Sequence, residues 1–231
     1  QQHLERAIEA PLSRIGAKKA VGIALDPKTG GVLAMVSIPG FDSNLFSQGI
    51  SKAQYEEIVS DPLHPFFNRA VSGTYPTGST IKPLIASAAL EEHIIDPDKE
   101  LLTHGYIEIP NEYDPTIVYR FADNADHGLV DMRDAIAVSS NVYFYTIGGG
   151  YEDQQGLGPT RMKEYLLRFG WGAQTGIDLP SEAEGLIPDP AWKKQAKGEG
   201  WWDGDTYLFS IGQGNVLATP LQVASSFVAI A

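Results

Sequence analysis

The chain has 231 residues, 43% of them hydrophobic, so it can bury a core as one large domain, or one domain with a lobe, and disorder is not the expected state. Its 29 acidic and 17 basic side chains leave a formal net charge of -12 with no basic run, which sets nucleic acid aside as a partner. Cysteine is absent, which removes disulfides, thiol catalysis and cysteine metal sites; no apolar run reaches the roughly 18 residues of a membrane span, and the N-terminus has no signal-peptide pattern.

The first predicted element is an uncapped helix in QQHLERAIEAPL, with Leu4, Ala7 and Ile8 on one face. Two short apolar runs follow, Ala20 to Leu25 and Val32 to Val36. Between them Asp26 to Gly31 is rich in turn formers, so the unit reads as a β-hairpin with Lys28 and Thr29 at a solvated tip. Runs apolar at nearly every position suggest strands covered on both faces. Residues 39 to 76 read as loop with one helix, capped by Ser51 and packed through Tyr55, Ile58 and Val59.

In TYPTGSTIKPLIASAALEEHIID, residues Ile81, Leu84, Ile85, Ala88 and Ala89 recur at helical spacing. Pro83 is tolerated only in a first turn, which places the helix start close to Ser79. Residues three apart on a helix share a face, so Lys82 can reach the Ser79 hydroxyl. A serine needs a base to take its proton, and a lysine serves only if desolvation or cationic neighbours lower its pKa. The exposed amides and positive dipole end of the helix start suit a developing oxyanion. Taken alone, the same spacing is also that of an ordinary helix cap with a lysine nearby.

Downstream, Asp131 to Val138 and Val142 to Ile147 read as apolar segments separated by the polar break Ser139-Ser140-Asn141. There Ser139 could relay a proton, and the Asn141 amide could orient Lys82 or hold a substrate amide; a plain cap between helices fits as well. DNADHG, residues 123 to 128, begins like a calcium loop but has Ala125 and Asp134 at the third and twelfth positions, so it reads as a turn. Five scattered histidines have no paired zinc-ligand spacing. Gly148-Gly149-Gly150 reads as a flexible loop, and the tryptophans at 192, 201 and 202 as packing residues. Thr219 and Pro220 are a cap and first position for a last helix, which meets no stop signal before Ala231. An uncapped start and an unstopped end suggest a boundary or a continuation.

TYPTGSTIKPL followed 60 residues on by AVSSNVYFY resembles the transpeptidase domain of class B penicillin-binding proteins. ALDPKTGGVLAMVSIPGFD, FGWGAQTGIDLPSEAEGLIP and GDTYLFSIGQGNVLATPLQVASSF resemble further segments of that family in the same order, and the tryptophans before Gly204-Asp205-Thr206 resemble its elongation-type branch, penicillin-binding protein 2. The resemblance implies an α+β fold with an antiparallel sheet flanked by helices. It divides into an α/β part of about 1–85 and about 205–231 and an all-helical lobe of about 86–204. It further implies Ser79 as nucleophile, Lys82 as base, Ser139 and Asn141 as the second motif, and the Ser79 amide as one oxyanion donor.

The implied reaction is peptidoglycan D,D-transpeptidation at the extracytoplasmic face of the bacterial inner membrane. Its ligands would be D-Ala-D-Ala stem peptides and β-lactams, its partner a membrane glycosyltransferase of cell elongation, and no metal or organic cofactor is implied. A serine β-lactamase or β-lactam sensor, and a scaffolding domain without catalysis, are the alternatives. The family's third motif, Lys-Ser/Thr-Gly, belongs after the GQG segment and has no counterpart by Ala231, so an incomplete site and sheet are expected, as are a pedestal and membrane anchor outside these residues. Lys28-Thr29-Gly30 imitates that motif but precedes Ser79 at a hairpin tip, where it marks the fold rather than the site.

Overall fold

The structure is a computed structural model that describes every residue except Gln48 and Glu112. In chain order its first elements are α1 (Gln2–Ile15), β1 (Ala20–Leu25), β2 (Val32–Ile38), α2 (Lys52–Ser60) and α3 (Lys82–Glu91). The strands β3 (Leu101–Thr103), β4 (Tyr106–Pro110), β5 (Val118–Ala122) and β6 (Gly128–Val130) come next. Six helices follow: α4 (Met132–Ala137), α5 (Asn141–Gly149), α6 (Gly158–Arg168), α7 (Pro190–Lys197), α8 (Asp203–Ser210) and α9 (Pro220–Val228). The expected α+β class is what is seen, and no helix among the described residues is long and apolar enough to cross a membrane.

Two compact units divide the chain. The first comprises Gln1–Tyr75, Ala173–Gly185 and Ala218–Ala231. Its hairpin pairs β1 with β2 antiparallel, from Ala20 opposite Ile38 to Leu25 opposite Val32, with an irregularity after Ala24. Helices α1 and α9 pack on it, and Ala70, Val71 and Leu221 form a small core with Val21, Ile23, Leu25, Met35 and Ile177 against it. Leu4 and Ile8 of α1 lie over Gly22, where any Cβ would collide with them. The strands are not covered on both faces as expected: only Val36 is buried, because a two-stranded hairpin presents a full face to few neighbours. Ser51 caps α2 as predicted, in a reciprocal box with Gln54 that the sequence reading did not include, yet Tyr55 and Val59 stay about half exposed.

Helix α9 starts as its sequence dictates. Buried Thr219 accepts from Gln222 N at 3.0 Å, and Gln222 Oε1 accepts from Thr219 N at 2.8 Å. Gln222 Nε2 then donates to Ala173 O and Glu184 O, which pins the 173–185 segment to this helix.

The second unit comprises Pro76–Gly172 and Leu186–Leu217. Its centre is α5, whose residues Val142 to Gly148 are all buried, as befits a helix apolar all round. Helices α3, α6 and α8 pack around it. Gly148 and Gly149 are helical, not the flexible loop expected. A Cβ at Gly148 would overlap Ser210, and one at Gly149 the Tyr207 ring, so the glycines let α8 approach closely. This part also carries two antiparallel pairs in addition to its helices, β3 with β6 and β4 with β5.

Candidate active site

Ser79 lies in a 3-10 turn, Gly78–Ile81, that leads directly into α3. Pro83 falls in the first turn of α3, where its missing amide costs no helical bond. Gly78 has φ +53° and donates its N–H to Gly212 O at 2.9 Å, so the GQG segment braces the turn. Gly212 has φ +71°, and a Cβ there would overlap Gly78 O and Thr77 Oγ1. Ser79 itself is exposed at the mouth of this turn.

Lys82, one turn on, is almost wholly buried, with 2% of its surface exposed. Its ammonium donates to Ser139 O at 2.7 Å, Ser139 Oγ at 3.1 Å and Asn141 Oδ1 at 2.8 Å, and lies 5.5 Å from the centre of the Phe144 ring. Three donors meet three acceptors, so the ammonium is fully satisfied. Burial pushes the Lys82 pKa down to about 8, against an opposing pull from the negative Asp123. The lowered pKa makes the neutral form, which can take a proton, far more accessible near pH 7 than in a solvated lysine.

The structure therefore gathers three of the four sequence-chosen residues, Lys82, Ser139 and Asn141, around one ammonium. Ser79 stands on the adjoining turn, and among the described residues its hydroxyl forms no hydrogen bond with Lys82. The helical spacing put the two on one face; the acceptors of the Ser139–Asn141 loop take all three lysine protons.

The loop holds an unusual shape. Ser139 has φ +57°, an uncommon conformation for a residue with a side chain, and it turns both Ser139 oxygens toward Lys82. Ser140, fully buried, caps α5 by accepting from Tyr143 N. Asn141 Nδ2 faces Ala122 O at 3.5 Å, which leaves Oδ1 for the lysine.

Sequence reasoning missed Asp123. Its side chain is inaccessible to solvent and accepts four hydrogen bonds: from Asn124 N and Asn141 N on Oδ1, and from Ser140 Oγ and Val142 N on Oδ2, all between 2.7 and 2.8 Å. Burial alone would raise its pKa, but the bonds from Asn141, Val142, Ser140 and Asn124 together outweigh that and hold it below the ordinary value. The orphan amides at the start of α5 announce that an acceptor is needed, and a helix N-terminus favours a carboxylate. Which carboxylate arrives, from 17 residues upstream, is set by tertiary structure.

Residues 20–231 match the family model described as penicillin binding protein transpeptidase domain. The chain is 39% identical over 213 residues to the peptidoglycan D,D-transpeptidase MrdA of Acinetobacter baumannii, covering 91% of this chain and 30% of that protein. With MrdA of Haemophilus influenzae it shares 40% over 223 residues, 96% of this chain and 32% of that one. Among solved structures it is similar to penicillin-binding protein 2 of Pseudomonas aeruginosa in complex with WCK 5153. That match has a TM-score of 0.84 and 34% identity, and covers 100% of this chain and 50% of that one. Penicillin-binding protein 2 of Helicobacter pylori gives a TM-score of 0.85 at 30% identity, covering 100% and 41%. The chain thus spans about a third of the length of the curated relatives it matches. On the family match and these identities, the chain belongs to the penicillin-binding protein transpeptidase domain family.

Proposed function

We propose that the protein is a peptidoglycan D,D-transpeptidase that cross-links stem peptides through an acyl-enzyme on Ser79 and is trapped there by β-lactams. The observation that carries this reading is a buried lysine, its pKa lowered by burial to about 8, that follows one turn after an exposed serine in the turn leading into α3. Lys82 in its neutral form takes the Ser79 proton as Oγ attacks the carbonyl of the penultimate D-alanine. The Ser79 amide, in a first turn without an intrahelical acceptor, stabilises the oxyanion. The Lys82 ammonium returns that proton through the Ser139 hydroxyl to the departing D-alanine nitrogen, the C–N bond breaks, and the acyl group remains on Ser79. The amine of a neighbouring stem then attacks and gives a proton to neutral Lys82; the new C–N bond forms, the Ser79 ester breaks, and Lys82 hands that proton to the Ser79 oxygen.

Asn141 orients Lys82 through its Oδ1. A peptidoglycan stem peptide as substrate supports a reaction at the extracytoplasmic face of the inner membrane. A polymerase partner of the cell-elongation machinery is supported by a similar solved structure described as coordinating polymerization and crosslinking in a peptidoglycan synthase complex, 33% identical at a TM-score of 0.83. The reading that gives Ser79 only a capping role is disfavoured, because Ser79 lies inside the Gly78–Ile81 turn, whose N-cap is Thr77, and among the described residues its hydroxyl caps no backbone amide.

The test is incubation of the full natural protein with a D-Ala-D-Ala stem pentapeptide and an amine acceptor, following free D-alanine and cross-linked product. The proposal expects both, in equal amounts, and neither from Ser79→Ala. D-alanine release undiminished in Ser79→Ala would overturn it.

A further inference from the structure

The Asp123 carboxylate is buried, belongs to none of the acyl-transfer roles above, and spends its hydrogen-bonding capacity on the loop that serves Lys82. Of its four donors, three are consecutive residues of that loop: Ser140 Oγ at 2.7 Å, Asn141 N at 2.8 Å and Val142 N at 2.8 Å. The fourth, Asn124 N at 2.8 Å, is its own neighbour and fixes the carboxylate's orientation. His127 Nε2 stands 3.9 Å from Oδ1 but bonds Asn124 Oδ1 at 2.8 Å instead. Ser140 Oγ caps only the Tyr143 amide of α5, and the carboxylate takes the Asn141 and Val142 amides ahead of it.

We propose that Asp123 is a positioning residue for acyl transfer: its carboxylate clamps residues 140–142, and the clamp sets Ser139 and Asn141 at hydrogen-bond distance from Lys82. Two observations connect clamp and site. Ser139, which precedes the clamped residues, is in the costly left-handed conformation, and such a shape persists only where its surroundings over-determine it. Asn141 is held at both ends, its N–H by Asp123 and its Oδ1 by Lys82. Release of the backbone end would let the side chain drift, and the lysine with it. Asparagine at position 123 could not replace the carboxylate, because its amide nitrogen would face the N–H and O–H donors now bound to one of the two oxygens.

The inference rests on Ser79 and Lys82 being the reacting pair, and the experiment separates the two. Acylation of the full natural protein by a chromogenic cephalosporin is followed at several concentrations, which resolves the bound-complex constant Ks from the acylation rate k2, alongside thermal melting. Asp123→Asn should lower k2 by about 100-fold, the cost of an ångström-scale misplacement, with Ks nearly unchanged. In an Asn141→Ala background the same substitution should cost much less, because the group it positions is gone. Thr219→Ala, a buried cap in the other unit, should lower the melting temperature without lowering k2.

Wild-type k2 in Asp123→Asn overturns the proposal, as does an equal loss in the Asn141→Ala background, which would mark a merely structural acid. If Asp123→Asn has no cooperative melt, Ser140→Ala, which removes only the side-chain bonds of one donor, decides: a several-fold slower k2 supports the clamp and a wild-type k2 overturns it. Acylation of Ser79→Ala would instead overturn the underlying reading.

Discussion

Replacing Asn141 with alanine isolates one bond of the Lys82 ammonium. The substitution removes the 2.8 Å acceptor at Oδ1 but keeps the backbone N–H bonded to Asp123, and alanine suits the first turn of α5. A hydrogen bond to a charged group is worth about 1.5–3 kcal/mol, and the ammonium, with three protons for three acceptors, loses more than the neutral amine, which has two. At about 1.4 kcal/mol per pKa unit, the Lys82 pKa should fall by about one to two units from its value of about 8. The sign is fixed by which form is bound. A lost acceptor destabilises the ammonium, so the neutral base persists to lower pH.

In the unaltered protein, single-turnover acylation should decline as pH falls through about 8, where Lys82 takes up its proton. In Asn141→Ala the decline should shift to lower pH by about the same one to two units. The plateau rate should fall too, because the lysine loses one of its three constraints. Rapid-mixing acylation by a chromogenic cephalosporin across roughly pH 5 to 10 measures both quantities. A midpoint that stays in place, or rises, would mean that Lys82 is not the titrating base or that Asn141 does not bind its charged form.

Gly212→Ala should destabilise the protein by about 3 kcal/mol or more, because it combines left-handed strain with overlap on Gly78 O, and acylation should slow as the Ser79 turn shifts; denaturant unfolding and acylation rate check this. Lys28→Ala should leave acylation unchanged, since Lys28 lies exposed in the β1–β2 turn, where Asp26 holds the backbone through the Lys28 amide and Thr29 hydroxyl; a collapse of acylation in a protein that still melts cooperatively would contradict that. Thr219→Ala should cost about 1 kcal/mol, the usual worth of a helix cap, seen as a lower melting temperature.

Local chemistry was well legible in the sequence wherever one residue decides a boundary. Pro83 put a helix start close to Ser79, where a 3-10 turn leads into α3 at Lys82, Ser51 caps α2, and Thr219-Pro220 opens α9, because caps and prolines act on their own turn. The hairpin was legible from its turn, but its burial was not, since coverage depends on which elements come to rest on it. The short strands at 101–130 left no clear period: three to five residues with mixed burial do not register as alternation.

Glycines 148 and 149 resembled a loop because glycine signals both turns and close helix contacts, and only the facing Ser210 and Tyr207 distinguish the two. At the site, Ser79, Lys82, Ser139 and Asn141 stood out by motif, with Asn141 orienting Lys82 among the readings, whereas the two Ser139 acceptors of the ammonium and the role of Asp123 depend on contacts 17 to 57 positions apart.

The account turns on Ser79 as the residue that is acylated. Intact-mass measurement of the full natural protein after exposure to a penicillin, followed by proteolysis and fragment sequencing, tests this most directly. The account predicts one added penicillin per chain, carried on the peptide containing Ser79 and absent from Ser79→Ala. A penicillin adduct mapped to any other residue, or retained in Ser79→Ala, would contradict it.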